Sequence, residues 1–248
     1  MIYAILTLIF TATFVISPAF TSFSGFESGQ LPIPQVDPPI QPAGYAFGIW
    51  GLIYAWLVVS AVFGIWKRSD DPAWRQPRIY LSLSLLAGTP WLYIATQSAV
   101  WATVLIVVMT VFAVLALITT PRLFDRWVFQ APVAIYAGWL TAASFVSIGS
   151  TMAGYGIGFA SLGWAYIGIA GALVIAMLVF WQRPASEYLL TIIWALVGII
   201  VANLDRNPGV VWFAAAGIAL SAALIVMAWF NARRNPASSY ASTSGTAG

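Results

Sequence analysis

The chain has 248 residues, 61% of them hydrophobic and 7% charged, with a formal net charge of +3 and a mean hydropathy of +0.91. A soluble domain carries about 25% charged residues, so this composition excludes a water-solvated globule and makes the bilayer the solvent. With no histidine and no cysteine, the chain also lacks disulfides, the usual zinc and transition-metal ligands, and Ser-His or Cys-His nucleophile pairs.

Apolar runs near the roughly 20 residues that cross a bilayer recur at about 2–19, 45–66, 79–96, 98–119, 128–149, 157–181, 188–204 and 209–230. They predict an all-α polytopic membrane bundle of eight helices. Basic residues test the count independently. Lys67, Arg68, Arg75 and Arg78 fall between spans two and three, Arg122 and Arg126 between four and five, Arg183 between six and seven, and Arg233 and Arg234 after eight. Those loops share one side, and the other carries Arg206 with Glu27, Asp37 and Asp205. Both termini are therefore expected in the cytoplasm. The first span lacks a basic n-region and an A-x-A-like site, so it reads as a retained helix rather than a signal peptide. The positive charge reports topology and lipid headgroups, and no basic face with interleaved aromatics points to nucleic acid.

Between spans one and two, residues 21–44 hold Pro32, Pro34, Pro38, Pro39 and Pro42. Proline favours extended geometry and lacks a donor, which suits either a strap over the bundle mouth or a loose linker. Span two then opens with Tyr45, Phe47, Trp50, Tyr54 and Trp56 among glycines. Phe47, Trp50 and Tyr54 stand at i, i+3 and i+7 on one helical face, a surface for bundle core or for a flat apolar ligand. Pro90 kinks span three beside Trp91 and Tyr93, and a tight hairpin near Thr96 to Ser98 leads into span four. Pro132 stands in the first turn of span five, which also carries Tyr136 and Trp139. Gly154, Gly156 and Gly158 open span six, followed by Gly163, Gly168 and Gly171, and Gly217 and Ser221 mark span eight; close helix packing is the ordinary reading. After Phe230 the tail is small, polar and expected to be disordered.

Every carboxylate falls in a loop or at a span end, so the intramembrane acids of ion-coupled pumps are missing. The single lysine, Lys67, closes span two, which leaves no mid-membrane amine for a retinal Schiff base. Trp66, Trp74, Trp127, Trp181 and Trp229 near span ends read as interfacial belts.

At Pro42 to Tyr54, and again at Pro132 to Ser147, the sequence resembles the tryptophan-rich sensory protein family (TspO/MBR), relatives of the mitochondrial translocator or peripheral benzodiazepine receptor. The family's P-P-G-W-V-F-G-x-x-W-x-x-L-Y is similar to the first segment with one residue deleted before Trp50, and its P-Y-L-x-W-x-x-x-A-T-x-L-N to the second with a longer Pro-to-Trp gap. Ala87 to Trp91 echoes the helix-three motif, and the three further spans look like the longer bacterial members. The asparagines of family helices three and five are not evident, with Ser147 near the latter position.

The resemblance implies a five-helix core over 1–150 with loop 21–44, a three-helix extension over 151–231 and a cytoplasmic tail over 232–248. It also implies a sensor or carrier of tetrapyrroles such as porphyrin or haem, or of sterol-like molecules, rather than an enzyme. On this reading Tyr45, Phe47, Trp50 and Tyr54 stack on a flat ligand, Trp91, Tyr136 and Trp139 complete the box, and Thr141 or Ser147 supplies a hydrogen bond. No catalytic or metal site is expected, and a haem iron could be ligated only by Met or Tyr. The expected partners are membrane lipid and a hydrophobic small molecule, with a homodimer allowed and no nucleic acid. A small-molecule exporter and a ligand-free structural subunit remain the alternatives.

Overall fold

A computed structural model describes residues 1–21, 25–26, 29–120 and 125–234. Glu27, Arg122 and residues 235–248 of the tail expected over 232–248 lie outside the described residues; residues 232–234 belong to the last helix. Helix α1 covers Ile2–Ile16, α2 Ile49–Arg68, α3 Pro72–Gly88, α4 Trp91–Gln97, α5 Ala99–Thr119, α6 Ala131–Gly154, α7 Ser161–Gln182, α8 Ser186–Asn203 and α9 Pro208–Arg234. A 3₁₀ turn over Gly44–Gly48 feeds α2, and a π turn over Arg126–Gln130 feeds α6. Among the described residues, eight segments are long and apolar enough to cross a membrane, as the sequence predicts.

Local chemistry sets the breaks. The Asp71 side chain accepts from the Ala73 N–H and Pro72 fills the first turn of α3, the capping arrangement that satisfies orphan donors at a helix start. At Thr89 and Pro90 the missing N–H and the ring clash divide one span into α3 and α4. Ser98 is extended and its hydroxyl accepts from the Trp101 N–H, so the turn into α5 is as tight as the sequence suggests. Gly156 and Gly158 lie before α7 rather than in it, with φ of 66° and 74°, left-handed values that glycine adopts without Cβ strain.

Helix α6 is the axis of the bundle. About two thirds of its span, 67%, is buried inside the protein, against 22% for the first and last spans. Its alanines, glycines and serines let α2, α5, α7 and α8 approach closely on several sides. Helix α3 packs on α5 and α1, and α9 packs on α8. Hydroxyls bridge these seams, with Thr110 to Ser144 at 2.6 Å, Thr103 to Ser147 at 2.7 Å and Ser84 to Tyr136 at 2.9 Å. In lipid, polar side chains find partners across helices in this way.

Candidate functional site

The proline-rich loop is a strap from residue 29 onward. Its backbone is tied to the bundle where the Ile33 N–H donates to the Gly154 carbonyl at 2.8 Å and the Ala43 N–H to the Gly198 carbonyl at 3.0 Å. Asn203 Nδ2 donates to the Pro39 carbonyl at 2.9 Å and Gln30 Nε2 to the Ala95 carbonyl at 2.8 Å. Leu31 and Ile40 are buried anchors. Glycines receive them: a Cβ on Gly154 would stand 2.7 Å from Leu31, and one on Gly198 2.8 Å from Pro42. Gly149 and Gly168 open in the same way to Ile40. These small residues thus seat the strap as well as neighbouring helices.

Beneath the strap lies a small cavity of about 80 Å³, part of it open to the outside. Ile40, Gln41 and Pro42 roof it, Trp139 and Val146 stand on the α6 wall, Ile169 and Ala172 on the α7 wall, and Ile192 and Ile199 on the α8 wall. Phe47 and Trp91 close one side. The described lining holds no charged side chain, and its polar side chains are Gln41, Ser147 and Ser150. This is the usual make-up of a small-molecule site, apolar walls with a few polar groups.

Of the residues expected from sequence, Phe47, Trp91, Trp139 and Ser147 line this cavity. Ser147 also shares its hydroxyl with Thr103. Trp50, Tyr54 and Tyr136 stand apart from the lining. Phe14 of α1 packs edge-on against all three at 5.9, 5.5 and 5.7 Å. Trp50 stacks on Tyr54 at 5.3 Å and meets Trp139 edge-on at 6.3 Å, so the helical face is real and protein rings cover it. Thr141 bonds the Tyr188 hydroxyl at 2.8 Å in the α6–α8 seam. Tyr45 faces Trp194 on the opposite side of α2. The strap was one of the two readings the prolines allowed, but the α7 and α8 walls were absent from the sequence expectation; the glycines of α7 were the one signal that could have pointed to them.

Comparison with family models settles the kinship. A model described as TSPO-like protein matches residues 1–227. The chain belongs to the TSPO-like family. The match runs through α7, α8 and most of α9, so the cavity walls from the extension lie inside the family pattern. The TSPO-like family is not a known enzyme family. Comparison with curated proteins and with solved structures gives no match.

Proposed function

We propose that this TSPO-like membrane protein binds a flat apolar molecule of the tetrapyrrole or sterol class beneath its strap, as a sensor or carrier rather than an enzyme. The observation that carries this reading is the uncharged cavity between α6, α7 and α8, roofed by Ile40 to Pro42 and flanked by the rings of Phe47, Trp91 and Trp139. Aromatic edges and faces hold flat rings with little loss of side-chain entropy. Ser147 and Gln41 are the groups placed to orient a polar substituent. A haem iron would meet no His, Cys, Met or Tyr in the described lining, so the residues fit a metal-free porphyrin or a sterol better than an axially ligated haem.

Metal-free protoporphyrin titrated into purified protein should quench tryptophan fluorescence and shift the Soret band. Ala172→Phe, which fills the cavity from α7, should weaken binding at least about tenfold, since overpacking costs ~1–3 kcal/mol and about 1.4 kcal/mol is a factor of ten. Trp50→Phe, outside the lining, should leave the affinity near wild type. Equal affinities for wild type and Ala172→Phe, with both folded by thermal unfolding, would sink the assignment.

A further inference from the structure

Helices α2 and α8 both pack on α6, and between them runs a second groove that shares no lining residue with the strap cavity. One end is closed where Tyr45 meets Trp194 edge-on at 5.7 Å and Trp194 Nε1 donates to the Ala46 carbonyl at 2.9 Å. At the other end Arg126 donates through Nε and Nη2 to the same oxygen of Glu187, Oε1, at 3.0 and 2.7 Å. The parallel rings of Trp56 and Trp127 stand beside that pair. Between the ends the walls are apolar, and Leu52 and Leu190 are about half exposed, at 49% and 54%, on the side that faces lipid in a spanning bundle. From Ser186 to Trp194 the groove follows α8 for about 12 Å at 1.5 Å per residue, close to the roughly 15 Å depth of one hydrocarbon leaflet.

Glu187 makes this more than an apolar cleft. The residue is 94% buried, with 6% of its surface exposed, and it lines the groove. Its second oxygen, Oε2, is buried and accepts no hydrogen bond. Buried polar atoms are rarely left unsatisfied, and a charged one costs more than a neutral one. Both donors that Arg126 sends to Glu187 end on Oε1. Oε2 therefore lacks a donor, and an occupant of the groove supplies one only when the carboxylate turns toward the open side, which faces the bilayer.

We propose that the groove binds one phospholipid with a primary ammonium headgroup, of the phosphatidylethanolamine type. The Glu187 carboxylate turns to accept from the ammonium, the phosphate lies against the half-exposed Arg126 guanidinium, and an acyl chain fills the space between Leu52 and Leu190. The ion pair selects this headgroup by chemistry. A choline headgroup has no N–H to give Oε2, and an anionic glycerol headgroup sets a net negative charge beside a carboxylate without an ammonium to offset it. A zwitterion with donor hydrogens matches both halves of the Arg126–Glu187 pair.

Delipidated protein equilibrated with vesicles of equal parts phosphatidylethanolamine, phosphatidylcholine and phosphatidylglycerol, then re-extracted, reports its retained lipid by native mass spectrometry. Wild type should retain phosphatidylethanolamine about tenfold over phosphatidylcholine, the low end of what a hydrogen bond to a charged group contributes. Glu187→Gln should bring that ratio close to one. Retention in vesicle proportions, preference for phosphatidylglycerol, or an unchanged ratio in Glu187→Gln overturns the proposal. Leu190→Trp leaves the ion pair intact and fills the groove, so it decides the question if Glu187→Gln does not fold: loss of the retained phosphatidylethanolamine supports the site and undiminished retention overturns it.

Discussion

Trp74 shows how one residue can join two charges at the edge of a membrane bundle. As a tryptophan near a span end it is expected in an interfacial belt, yet its ring is 4% exposed. It packs 4.2 Å from Phe129, carries the Arg78 guanidinium 4.7 Å above it, and donates from Nε1 to Asp125 Oδ2 at 2.9 Å. Arg78 is buried too, and donates to the Arg68 and Gly64 carbonyls, both at 2.8 Å. Arg68 completes the cluster with a 2.8 Å bond to Asp125. Burial pushes the Asp125 carboxyl up, but hydrogen bonds from Arg68 and Trp74 outweigh it and hold the group below its ordinary value of 3.8. A depressed carboxylate stabilises the fold above its unfolded pKa and stops doing so as pH falls through the folded one. Thermal unfolding of detergent-solubilised protein should therefore show a loss of stability below about pH 4 that shrinks in Asp125→Asn and in Trp74→Phe. At neutral pH Trp74→Phe should cost about 1 kcal/mol, the low end of the penalty for a charge that loses a donor, since Asp125 is partly exposed and keeps its bond from Arg68.

At the scale of elements, hydropathy and charge placement made the helices legible, because a span must be apolar for about 20 residues and its basic flanks alternate sides. Pro90 and Ser98 likewise announce the α3–α4 break and the hairpin into α5 through local chemistry. Which face of each helix meets protein was harder to read. In a bilayer a lipid-facing side and a core-facing side are equally apolar, so α7 and α8 carry no stripe to mark Ile169 or Ile192 as cavity wall. Phe47 and Trp139 stood out because aromatic rings beside glycine are distinctive, and Trp50 looked the same although Phe14 covers it. Arg78 read as a loop charge because nothing in its neighbours' identities reveals two carbonyl partners on α2, ten and fourteen residues back in the chain. Where helices cross most tightly, glycine carries the contact. A Cβ on Gly138 of α6 would stand 2.8 Å from the Tyr188 backbone oxygen of α8, which no side-chain rotation can relieve. Gly138→Ala should lower stability by ~1–3 kcal/mol as overpacking and displace the Thr141–Tyr188 hydrogen bond beside it. An unchanged melting temperature would mean the two helices part freely there.

The whole molecule has a basic end and an apolar, strapped end. An even number of spans brings Met1 and the end of α9 to the same side, where the N-terminus meets Asp70, and Lys67, Arg75, Arg126 and Arg183 gather there. Of the ten Lys and Arg in the chain, Arg206, in the turn between α8 and α9, is on the strap side. Positively charged loops are retained in the cytoplasm during insertion, so the strap and its cavity should face away from it, and the Arg126–Glu187 end of the α2–α8 groove should draw on the cytoplasmic leaflet. The absence of cysteine from the sequence makes this directly measurable with single substitutions at exposed positions. Gln97→Cys and Asp205→Cys, on the strap side, should react with a membrane-impermeant maleimide in intact spheroplasts. Gln182→Cys, on the basic side, should react only after permeabilisation. Because consecutive loops must alternate, one missing or extra span between these positions would make Gln97 and Asp205 label on opposite sides. Full reversal of the pattern would keep the fold and turn the strap inward, which would assign the cavity to cytoplasmic ligands and the groove to the outer leaflet.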